Sequence, residues 1–167
     1  MDTLVLRSWK WRATDWTAAA VSGLAAGAVL MVLDLLWSST FNPAGPWRTS
    51  HMIAPIFTGR SGDTFHYAFS VGVVSIALAT HYVLGALFGV MLAAIMTQLH
   101  LDEMPERAAV AGAVLGSFLY LVNFGFLVRF FPWLIDLRGW DTYAAHVVFG
   151  VVAGLLYWRL KRSGPEA

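Results

Sequence analysis

Four polar side chains stand inside stretches that are otherwise apolar: Asp34, His81, Asn123 and His146. Imidazole exchanges a proton near neutral pH and ligates transition metals, and a neighbouring carboxylate can orient or charge it. The histidines open matching segments, "HYVLGALFG" from His81 and "HVVFGVVAG" from His146. Each reads His-x-x-x-Gly-x-x-x-Gly, through Gly85 and Gly89 in one and Gly150 and Gly154 in the other. Asp34 and Asn123 close a second pattern, in which Gly23, Gly27 and Asp34 recur as Gly112, Gly116 and Asn123. Steps of four, seven and eleven return to one helical face. Each stripe therefore joins small residues to one polar group.

Three kinds of chemistry fit this set. In the first, His81 pairs with Asp34 and His146 with Asn123, as interhelical bonds worth roughly 0.6 kcal/mol each in a membrane. In the second, His81 and His146 face each other and hold a group between them. A haem b would take one imidazole from each helix and lie flat on the glycines. A divalent metal would add Asp34 and a ligand from an outer loop, where His51 and His66 are the candidates. In the third, the polar residues form the outer half of a path for a proton or small solute, conducted by an oligomer. Lipid or quinone chemistry beneath the outer loop is a further possibility. No phosphate-cradling glycine loop, Gly-x-Ser-x-Gly or His-Glu-x-x-His occurs, so enzyme chemistry has no motif to rest on.

The elements that must position these groups follow from composition. Of 167 residues, 58% are hydrophobic and only 13% charged, against roughly 25% charged in a soluble domain. The apolar runs reach about 20 residues, the length that crosses a hydrocarbon core of roughly 30 Å as a helix. Four spans are expected, near 16–38, within 67–98 (with the transmembrane part from 75), near 108–130 and near 141–160. At 1.5 Å per residue the stretch 67–98 would measure about 48 Å, so it must tilt, emerge, or begin with an interfacial piece ending near Ser75. Residues 1–15 interleave tryptophan with Arg7, Lys10 and Arg12, as an interfacial segment does rather than a signal peptide. The loop 39–66 is unusually apolar for a connection and is expected to fold back as a lid or half-buried helix, or to dock on a neighbouring subunit.

Charge sets direction. Arg7, Lys10, Arg12, Arg107, Arg159, Lys161 and Arg162 fall on one side of these spans, and Arg48, Arg60, Arg129 and Arg138 on the other. The heavier side is cytoplasmic by the positive-inside bias, which puts both termini there. No basic run suits a nucleic acid partner. The absence of cysteine removes disulfides, thiolate metal ligands and iron–sulfur clusters. The expected fold is all-α: a single membrane domain of four transmembrane helices, built as two parallel helical hairpins about a pseudo-two-fold along the membrane normal.

With these patterns, the chain resembles small bacterial inner-membrane proteins of the YagU-like kind. The resemblance rests on Gly23, Gly27, His81, Gly85, Gly89, His146, Gly150 and Gly154, and covers the four spans but not the outer loop. It implies a four-helix fold and an inner-membrane location, and brings no chemistry. The resulting expectation is a small accessory or assembly subunit with a polar site near the periplasmic side. Its partners would be the lipid bilayer and a larger membrane complex or further copies of itself.

Overall fold

A computed structural model describes residues 11–59 and 67–162, all in helices, turns and loops with no strand among them. The helices are α1 (Trp16–Phe41), α2 (Arg48–Ile53), α3 (Pro55–Thr58), α4 (Val71–Gln98), α5 (Pro105–Leu121) and α6 (Trp140–Leu160). After α5 the helix continues as a π-helical turn, Val122–Phe126, then as 3-10 turns at Leu127–Arg129 and Pro132–Leu137. Four helices are long and apolar enough to cross a membrane: Trp16–Phe41, Val71–Gln98, Pro105–Arg129 and Trp140–Leu160. The helix α4 is unbroken from Val71 to Gln98. At its 28 residues it measures about 42 Å, longer than the hydrocarbon core.

The burial pattern inverts that of a water-soluble bundle. On α1 the buried residues are small (Ala18, Ala19, Ser22, Gly23, Ala26, Gly27), while Val29, Val32, Leu33 and Leu36 are exposed. In hydrocarbon a leucine gains nothing by leaving lipid, so helices associate through close backbone approach at small residues. The same inversion marks α5, where Gly112 and Gly116 are buried and Val110, Val114 and Phe118 face outward.

Two antiparallel hairpins result, α1 with α4 and α5 with α6. In the first, a Cβ placed on Gly89 would lie 2.6 Å from the Gly23 Cα, and one on Gly85 would lie 2.8 Å from the Gly23 carbonyl oxygen. In the second, a Cβ on Gly112 would overlap the Gly150 carbonyl, and one on Gly116 the His146 carbonyl. The backbones touch at these points, so nothing larger than hydrogen fits. The hairpins meet chiefly through α1 and α6, whereas α4 and α5 make little contact. The contact between hairpins is thus not the one an exact two-fold would repeat.

At one end of the bundle the first and last described residues meet the α4–α5 loop. Asp102, 2% exposed, receives Arg12 Nη1 at 3.0 Å and Lys161 Nζ at 2.5 Å. Arg12 is held further by its Nη1 bond to the Thr97 carbonyl and by reciprocal backbone bonds with the Gln98 side chain. Beside it, the Thr97 and Tyr157 hydroxyls bond at 2.8 Å between α4 and α6. Asp15 caps α1 by accepting the Ala18 N–H, and also accepts from the Arg162 backbone and side chain. The Ala18 and Arg162 backbone donors, in that order, hold its carboxyl at about 2. The end of α4 is closed by a left-handed His100 (φ 57°), with the Leu101 N–H bonded back to the Met96 carbonyl.

At the opposite end the connection from α1 to α4 folds back on the bundle as two short helices. Met52 and Ala54 are buried, and Trp133 donates its indole N–H to the Met52 carbonyl at 3.0 Å. Arg48 ties α2 to the last 3-10 turn through a 2.7 Å bond to the Asp136 carbonyl.

Candidate functional site

The polar residues of the spans gather toward that covered end. On α6, His146 Nδ1 lies 2.8 Å from the Thr142 carbonyl, so that nitrogen carries the proton and donates. Its Nε2 is then the acceptor, and the Asn123 side-chain amide donates to it at 2.9 Å. Asn123 belongs to the π-helical turn, a backbone irregularity that inserts one residue per turn and re-aims its side chains. Tyr120 and Phe124 lie edge-on to the imidazole, with ring centroids at 5.8 and 6.1 Å. His146 is therefore held at both nitrogens and walled by aromatics.

The corresponding pair in the first hairpin is arranged differently. His81 Nδ1 donates to the Ala77 carbonyl at 3.0 Å, and its Nε2 makes no hydrogen bond among the described residues. Asp34 does not bond to His81; its Oδ1 accepts the Thr49 hydroxyl at 3.0 Å. The cause is the connection from α1 to α4, whose helix α2 carries Thr49 over the end of α1 and offers a donor that the second hairpin lacks.

These placements bear on the metal and haem candidates. His51 is turned away, donating from Nε2 to the Ala68 carbonyl at 2.8 Å, and His66 lies outside the described residues. Among the described residues no three His, Cys, Asp or Glu side chains are grouped to hold a metal ion. For a haem iron, His146 would have to surrender Asn123, because both of its nitrogens are engaged.

A polar recess of about 200 Å³ opens beside this cluster. Asp34, Ser38 and Asn42 on and after α1, Arg48 and Thr49 on α2, Asp136 to Arg138, and Asp141 and Thr142 on α6 form its walls. It shares Asp34 with the polar layer, and its Thr142 supplies the carbonyl that fixes His146. Of the wall, only Asp34 was a candidate on sequence grounds. The available signal lay in Arg48 and Arg138, basic residues on the side that the positive-inside bias disfavours, which implies local work for them.

The comparisons add no relative. No protein-family model, curated protein or solved structure matches this chain.

Proposed function

We propose that this chain is a multi-pass protein of the bacterial inner membrane, with both termini cytoplasmic, that serves as a small accessory subunit holding a polar ligand at its periplasmic recess. The observation that carries this reading is the position of the recess. It is polar and open at one end of the bundle, directly above hairpin interfaces in which glycine backbones touch. Such contacts leave no gap between paired helices for a solute to follow, so binding is favoured over passage. The other end is tied by Asp102, Arg12 and Lys161. The side assignment follows the basic residues, seven against four.

We further read the two hairpins as a duplicated unit. In support, Gly27 lies against the His81 carbonyl as Gly116 lies against that of His146, and Gly23 meets Gly85 as Gly112 meets Gly150. The first copy then gained the outer connection, which moved Asp34 onto Thr49 and built the recess.

Reconstitution in sealed liposomes with an internal pH dye and a potassium ionophore tests binding against passage. The expected proton leak equals that of protein-free vesicles, for the wild type and for Asp34→Asn. A leak above that baseline would overturn the reading, and its loss in Asp34→Asn would route conduction through the recess.

A further inference from the structure

The recess carries an unusual charge arrangement, which points to the class of ligand. Two guanidiniums, Arg48 and Arg138, and three carboxylates, Asp34, Asp136 and Asp141, line one space. Ion pairs among the described residues form elsewhere, and no two of these five pair with each other. Arg48 spends one N–H on the Asp136 carbonyl and Asp34 one oxygen on Thr49. The side chains of Arg138, Asp136 and Asp141 make no hydrogen bond among the described residues. Opposite charges held in one recess without meeting leave both signs open to a ligand that bridges them.

The balance of charge narrows the choice. Three carboxylates against two guanidiniums leave one negative charge in excess, which disfavours a simple anion, while the guanidiniums disfavour a simple cation. A bipolar ligand satisfies both. Guanidinium suits a phosphate through paired N–H donors, and carboxylates suit a primary ammonium, which has N–H groups to give. A quaternary ammonium has none. The recess, about 200 Å³, has room for a short headgroup.

The rim indicates where the ligand comes from. Trp37 lies tilted against Phe41 with ring centroids at 4.5 Å and meets Trp140 edge-on at 6.0 Å, and Trp140 is 74% exposed. Trp37 and Phe41 lie in the same turns of α1 as Ser38, and Trp140 adjoins Asp141. Such rings settle at the level of lipid headgroups.

We propose that the recess binds a phosphate joined through a short linker to a primary ammonium, delivered as the headgroup of an ethanolamine phospholipid. Arg48 and Arg138 take the phosphate, and Asp34, Asp136 and Asp141 take the ammonium. This rests on the ligand-holding reading above and names the ligand class for the same recess. It predicts discrimination between ethanolamine, choline and glycerol headgroups, which a passive lipid coat does not show.

The test uses the full chain in mild detergent. Native mass spectrometry measures retention of ethanolamine, choline and glycerol phospholipids with identical acyl chains, and a thermal shift with soluble phosphoethanolamine tests the free solute. The ethanolamine lipid should be retained in preference to the other two. Arg138→Gln, at an exposed position, and Asp141→Asn, at a half-buried one, should weaken that retention about tenfold each, as loss of a charge-assisted hydrogen bond does. Their unfolding temperatures should match the wild type. Stabilisation by phosphoethanolamine, lost in the same variants and without lipid preference, would keep the chemistry and make the free solute its source. Equal retention of all three lipids with no stabilisation by phosphoethanolamine would overturn the proposal, as would variants that retain the ethanolamine lipid like wild type. An overturned ligand class alongside tight liposomes would leave the binding reading standing, whereas a proton leak would not.

Discussion

Replacing Asp102 by alanine should be the most destabilising single change in this protein. The carboxylate is 2% exposed, and it holds Arg12 from the segment before α1 and Lys161 from the end of α6. Removing it leaves Lys161 without its counter-charge and Arg12 with only the longer, more exposed contact to Glu103 at 3.8 Å. Breaking a buried ion pair in this way costs about 3–5 kcal/mol, and the partial exposure of Arg12 and Lys161 places the expected loss near the lower end. Asp102→Asn keeps an acceptor but loses the charge, and should fall between alanine and wild type. Equilibrium unfolding in mixed micelles measures both. An Asp102→Ala protein within about 0.5 kcal/mol of wild type, the range of an ordinary surface change, would show that the cluster does not tie this end together.

The second large effect concerns Gly112. A methyl group there would overlap the Gly150 carbonyl, and a backbone atom cannot swing aside as a side-chain tip can. Gly112→Ala should force α5 and α6 apart and cost about 1–3 kcal/mol, the range for overpacking. Two other glycines calibrate the result. At Gly27 the added Cβ would lie 3.4 Å from the His81 carbonyl oxygen, so Gly27→Ala should cost much less. At Gly72, in the first turn of α4, it would meet nothing within 4 Å, and alanine should stabilise by about 0.5–1 kcal/mol through helix propensity. The same unfolding measurement ranks the three. Equal effects at Gly112 and Gly72 would mean that glycine serves backbone freedom here and not close approach.

The parts of this structure visible in the sequence are those with a period. Long apolar runs mark the four helices, and glycines four residues apart mark the faces on which α1 meets α4 and α5 meets α6. The contact between α1 and α6 leaves no such mark, because apolar residues facing a helix and apolar residues facing lipid are the same residues. The π-helical turn that aims Asn123 at His146 is a property of the backbone and not of residue types. Asp102 sits in "HLDEMPER", which reads as an ordinary polar connection until Arg12 and Lys161 arrive from distant parts of the chain. The recess is hidden for the same reason. Its walls come from four separate segments, and Thr49 reaches Asp34 only once the connection from α1 to α4 has folded back.

In the proposed orientation the recess opens to the periplasm while the Asp102 cluster faces the cytoplasm. The chain contains no cysteine, so single cysteines report their side without background. Leu137 lines the recess and carries no charge, and Glu103 adjoins Asp102 with its side chain 46% exposed. In intact bacterial cells, a membrane-impermeant maleimide should label Leu137→Cys at once and Glu103→Cys only after permeabilisation. Labelling of Glu103→Cys in intact cells, with Leu137→Cys protected until they are opened, would reverse this orientation and put the recess on the cytoplasmic side.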